Sequence, residues 1–167
     1  LPEGEDVTPA NAFNILYREG AKINEHFLVR YAGVDPATGA PLYFGADGNT
    51  YRALDLPEDE DENRVLQGKS TIADKEGGFF SNMRYKGFGL RADFVFKAGN
   101  WINNFVRSNL VSDGFNIADN QAIDAFNYWK NPGDTNVHPS PLISQEELGA
   151  VNSDRFLEKG DYIRMRN

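Results

Sequence analysis

Two sets of side chains in this sequence have types and spacing suited to recognition. The first is aromatic. Trp101, Tyr128 and Trp129 fall in one long polar stretch, and Tyr43 and Phe44 in another. Flat rings of this kind stack on sugar rings or peptide groups, although a stripe on a short helix packs equally well against its own protein. The second set is charged. Arg84, Arg91, Asp93 and Lys97, with Arg164 and Arg166 near the C-terminus, alternate with apolar residues. Neither set points to catalysis. His26 and His138 have no nucleophile pattern beside them, no ligand at i,i+4 spacing and no Gly-rich phosphate loop. Carboxylates are common because acids are common, so a paired-carboxylate glycosidase site has no support. The run Glu58-Asp59-Glu60-Asp61-Glu62 repels itself and favours water. It lacks the spacing and central Gly of an EF-hand calcium loop. The sequence therefore gives no enzyme, no cofactor and no metal.

The element that must position the charged set is a hairpin centred on Gly87. Phe79, Ser81, Met83 and Tyr85 share one face of the first arm, and Leu90, Ala92, Phe94, Phe96 and Ala98 continue it in the second. Arg84, Arg91, Asp93 and Lys97 take the other face. A period of two over this length means strands. With Gly87 and Phe88 as the central residues, a type II′ turn sets Tyr85 opposite Leu90, Phe79 opposite Phe96 and Arg84 opposite Arg91. Arms of roughly 9–11 residues suit a tilted membrane-crossing strand. A soluble sandwich over a core and a membrane barrel with a wet lumen both accommodate the pattern.

Composition narrows the choice. With 17 basic and 25 acidic residues the net charge is −8, which argues against nucleic acid as a partner. Without cysteine there is no disulfide framework and no thiolate metal site. No apolar run approaches the roughly 20 residues of a membrane helix. The aromatics, 12 Phe, 7 Tyr and 2 Trp, suit a β-rich chain or a barrel with aromatic girdles.

In chain order, strands are expected at about 22–34, 77–86, 89–99 and 155–167. Residues 117–130 read as a short helix that Asn131-Pro132-Gly133 stops. Weaker helical signals lie at 11–17 and 144–148. Asp35-Pro36-Ala37-Thr38-Gly39 is a turn, and Asp47-Gly48 tips a small hairpin. Long loops at about 35–76 and 100–154 then fall on one rim and the tight turn on the other, the asymmetry of outer-membrane barrels.

Several stretches, in order, resemble the SusC/RagA family of TonB-dependent outer-membrane transporters. They are Tyr31 to Gly39, Pro41 to Phe44 with Asp47-Gly48-Asn49, Gly77-Gly78 leading to Tyr85-Lys86-Gly87-Phe88, Tyr128-Trp129-Lys130 with Pro132-Gly133-Asp134, and Ser153 to Phe156 with Gly160 to Asn167. The resemblance implies an all-β fold: antiparallel strands forming part of a transmembrane β-barrel, with long extracellular loops carrying a short helix. Residues 1–167 would be an internal piece of the later barrel, without the plug domain. It further implies import of glycan oligomers or peptides across a Gram-negative, Bacteroidetes-type outer membrane. The partners would be a SusD-like lipoprotein, outer-membrane lipid and TonB, the last through parts not in this sequence. Arg84, Arg91, Asp93, Lys97, Arg164 and Arg166 would then face the lumen. A SusC-like barrel serving as a structural subunit, and a soluble glycan-binding β-sandwich, are the alternatives. The acidic run 58–62, and Gly89 where the family usually has Asp, depart from the pattern.

Overall fold

A computed structural model of the chain describes residues 6–9, 14–57, 60–115, 118, 120–143 and 151–166. In chain order the strands begin with β1 (Ile15–Leu16), β2 (Glu25–Val29), β3 (Tyr31–Val34), β4 (Pro41–Phe44) and β5 (Thr50–Arg52). A short helix α1 (Glu60–Asn63) precedes β6 (Arg64–Ser70), β7 (Lys75–Tyr85), β8 (Phe88–Ala98) and β9 (Trp101–Asn103). Helix α2 (Phe105–Val111) comes next, and β10 (Leu157–Lys159) and β11 (Tyr162–Met165) finish the chain. They form sheets ordered β1-β2-β6, β3-β4-β5 and β11-β8-β7, with β9 beside β10, and β1-β2, β3-β4, β4-β5, β7-β8 and β8-β11 pair antiparallel. No helix of the described residues is long and apolar enough to cross a membrane, and strands are what cross in a β-barrel.

The chain divides into two compact units. The first holds Leu1–His26, Gly68–Ile102 and Leu157–Asn167. It is dominated by the β7-β8-β11 sheet. Tyr85 pairs with Phe88, Met83 with Leu90, Ser81 with Ala92 and Phe79 with Phe94. The register is therefore two residues from the expected one, and Arg91 faces Asn82 rather than Arg84. The turn explains the shift. Lys86 (φ 45°) and Gly87 (φ 89°) are its central residues, both left-handed, which makes a type I′ turn. A shift of two keeps every side chain on its face. Strand β11 adds Ile163 opposite Phe96 and Met165 opposite Phe94, extending the apolar row, with Arg164 opposite Val95 on the other face.

No second layer covers β7, whose residues are exposed throughout apart from the half-buried Ser81. Phe79, Met83, Leu90 and Met165 are each more than half exposed. The alternative of a sandwich would bury this row, and among the described residues nothing does. Among the described residues, the apolar side chains this unit buries are Ile15, Leu16 and Leu157. Glu25 is buried there too, its carboxylate taking the Lys22 amide at 3.0 Å and the Gly68 amide. Paired this way, a buried carboxylate is tolerated.

The second unit holds Phe27–Gln67 and Asn103–Phe156. Its core is Leu28, Val29, Ala40, Tyr43 and Val111, and fully burying Leu28, Val29 and Val111 contributes roughly 1.5–3 kcal/mol each. The stretch expected as one strand at 22–34 is two. Beyond Arg30 the chain leaves β2 and pairs with β4, with a register break between Tyr31 and Gly33, where Gly33 takes φ 107°. The stretch at 155–167 is likewise split, into a 3-10 turn (Asp154–Phe156), β10 and β11. In place of the helix expected at 117–130 there is a 3-10 turn at Ile123–Phe126. Ile123 is 87% and Phe126 71% exposed, so these two side chains have no core to face. The regular helix is α2 instead. The Asn104 side chain caps it by accepting the Arg107 amide at 2.9 Å, and Ser112 ends it at φ 38°. The long connections at 35–76 and 100–154 thus carry strands and helices of their own. Residues 10–13, 58–59, 116–117, 119 and 144–150, which include parts of the expected helical signals and of the acidic run, lie outside the described residues.

Candidate functional site

The β7-β8-β11 sheet is two-faced. One face carries Phe79, Met83, Leu90, Phe94, Phe96, Ile163 and Met165, with Phe79 and Phe94 stacked at 4.8 Å between ring centres. The other carries Arg84, Arg91, Asp93, Lys97 and Arg164. These charges pair locally: Arg91 Nε with Asp93 at 3.0 Å, and Lys97 Nζ with Glu76 at 3.0 Å. The Arg166 amide bonds the Asp93 carbonyl at 2.8 Å, so Arg166 continues the same edge. The expected lumen-facing set from Arg84 to Arg164 therefore does share a face. Pairing of this kind suits a hydrated wall.

The second unit contains a cavity of about 340 Å³. Its sides come from the two turns that flank α2 in space, Ser112–Gly114 and Asp154–Phe156, and from α2 itself. Arg155 is its anchor. The guanidinium grips Asp113 with both arms, and the two side chains are 11% and 7% exposed. One Arg155 nitrogen also lies 2.7 Å from His138 Nδ1. A guanidinium can only donate, so Nδ1 accepts and the ring proton sits on Nε2. Nε2 points at Asp124, 3.4 Å away, and Asp124 is held by Arg107 at 2.7 Å. Five separated residues are thereby tied into one chain of polar contacts.

The electrostatics follow from these contacts. Burial works against the Arg155 charge, but the Asp113 bond and field outweigh it, and its pKa is raised. Burial pushes the Tyr31 hydroxyl up to about 12. Arg107 holds Asp124 below the usual carboxylate range. Arg155 also lies over the rings of Phe156 at 4.8 Å and Tyr31 at 5.2 Å. The Tyr31 amide bonds Asp154 at 2.8 Å and the Asn104 amide bonds the Phe156 carbonyl at 2.9 Å, fixing the turn that presents Arg155.

The aromatic residues singled out in the sequence all have protein partners. Tyr43 borders the cavity but is only 3% exposed, set edge-on against Tyr31 at 5.7 Å. Phe44 lies under the Arg30 guanidinium at 4.8 Å, and Tyr128 under the Lys130 ammonium at 4.9 Å. Trp129 donates Nε1–H to the Pro36 carbonyl at 3.1 Å and packs on Gly39. Trp101, in the first unit, has Lys69 at 4.6 Å and Lys159 at 6.0 Å from its ring. The exposed rings at the cavity are instead Phe105 and Phe115, 55% and 46% exposed. Their only sequence signal is their place among the asparagines and serines of 103–115.

No family model matches the chain. It is similar over its whole length, at 26% identity, to TonB-dependent receptor P3 of Formosa agariphila, and spans 17% of that protein. Among solved structures it matches a chain of the RagAB peptide importer in the open-open state, with a TM-score of 0.77 and 22% identity over 99% of this chain. The closed-closed state of RagAB gives 0.72 and 22% over 96%. In both, the match covers 17% of the solved chain. The fold is that of part of a transmembrane β-barrel.

Proposed function

We propose that this chain is a wall-and-loop segment of an outer-membrane, TonB-dependent importer of glycan oligomers or peptides. The single observation that carries the reading is the uncovered, two-faced β7-β8-β11 sheet. Its apolar row faces lipid and its paired charges face a wet lumen. The second unit is extracellular loop structure, which substrate meets first. The segment does no chemistry on the substrate, and its work is recognition and passage. A SusD-like lipoprotein closes over the mouth, and TonB supplies energy through parts of the protein outside this segment. The named relatives, a TonB-dependent receptor and a peptide importer, support that assignment.

Uptake tests it. Cells carrying the full-length protein should accumulate labelled oligosaccharide or peptide, and lose that ability when either the gene or tonB is deleted. Unchanged uptake in both deletions, with disruption of a larger envelope complex, would instead favour a structural subunit.

A further inference from the structure

We propose that the cavity beside Arg155 is a subsite for an uncharged saccharide. The inference rests on the importer reading and narrows its substrate. At about 340 Å³ the cavity lies near the lower end of small-molecule sites, which run from roughly 300 to 1,000 Å³. That is room for the end of a short oligosaccharide.

The lining decides the class. Asn103, Ser108, Asn109 and Ser153 border the space, and among the described residues their side chains bond to nothing else. Amides and hydroxyls both donate and accept, which is what a polyhydroxylated ligand requires. Phe105 and Phe115 add partly exposed rings against which the apolar face of a sugar can lie. Among the described residues the ionic groups of the lining are Asp113 and Arg155, which neutralise each other. Little of either side chain is exposed, and Arg155 is further held by His138. A peptide terminus or a uronic acid carboxylate would find no counter-charge here, and leaving a charge unpaired in such a site is costly. A neutral sugar leaves nothing unpaired. Arg155 acts as a positioning residue: it fixes Phe156 and the turn carrying Ser153 without offering its charge to the ligand.

The test uses the full-length protein purified from outer membranes with its native lipoprotein partner. Binding is measured on an array of neutral oligosaccharides with gluco-, manno-, galacto- and xylo-backbones. Alginate oligomers and a tryptic peptide mixture are the charged arms. At least one neutral backbone should bind. The double variant Asn103→Ala/Asn109→Ala should weaken it about tenfold, and Phe115→Ala by a similar factor. Both variants lie on exposed or half-buried positions, and a barrel that still resists SDS at room temperature shows that they fold. Binding confined to the charged arms, or neutral binding that both folded variants leave unchanged, would overturn the subsite. Uptake separates the two readings. TonB-dependent import of a peptide with no response to these variants sinks the saccharide subsite and keeps the importer. Absence of any TonB-dependent import sinks the importer itself.

Discussion

Arg155 shows how much rests on one side chain. Removing it strands Asp113 as a buried, unpaired carboxylate and takes a donor from His138. Arg155→Met is expected to cost about 3–5 kcal/mol, and the pair Arg155→Met/Asp113→Asn less, because an unpaired charge is the main penalty and Asn tolerates the left-handed φ of 50° at that position. Denaturant unfolding and hydrogen exchange at 105–114 and 154–156 check this. Gly39 is a second sensitive residue. It takes φ 79°, and an added Cβ would stand 2.7 Å from the Trp129 ring, so Gly39→Ala should loosen the loop and expose Trp129, read by its fluorescence. Acid acts at the turns. The Thr38 hydroxyl and Ala37 amide hold Asp35 below its ordinary 3.8, and the Lys130 and Asn131 amides do the same for Asp134. Folded, these carboxylates bind fewer protons than unfolded. Their contribution is complete above 3.8 and is lost as pH falls through the lowered values. Amide protection at Ala37 and Lys130 should therefore hold at neutral pH and drop below about 3.8. At this scale the sequence was a poor guide. Trp101, Tyr128 and Trp129 drew attention by size, and each is occupied by a cation or a carbonyl. The cavity's polar groups come from 103–113 and 151–156, which only the tertiary fold brings together.

At the scale of elements, the hairpin was legible because its alternation is long and both arms agree. Its register was not. Gly87 serves equally as the first central residue of a II′ turn or the second of an I′ turn, and the choice depended on Lys86 accepting φ 45°. The strand at 22–34 misled for another reason. Leu28 and Val29 are both buried, so β2 has no solvent face, and the apparent alternation reflected two short strands in sequence. Helix α2 went unread because Phe105, Val106 and Leu110 are all partly exposed and leave no clean stripe. The turn yields a directional prediction. Gly87→Val places a β-branched residue at φ 89° and should cost about 1–2 kcal/mol. Lys86→Asn suits the left-handed position and should shift stability slightly the other way. The fraction of full-length barrel that resists SDS without heating measures both.

For the whole molecule, the question is where the apolar row looks. Neighbouring positions on β8 belong to opposite worlds if the sheet is a barrel wall. Phe94→Arg should then destabilise insertion by about 2–4 kcal/mol if it lies near the bilayer midplane, and Arg91→Ala by far less. The most direct measurement is nitroxide scanning of positions 90 to 97 in the full-length protein in lipid bilayers. Collision with oxygen dissolved in lipid should peak at positions 90, 92, 94 and 96. Collision with a water-soluble nickel chelate should peak at 91, 93, 95 and 97. Equal water contact along the whole strand, or an apolar row that neither probe can reach, would contradict a lipid-facing wall.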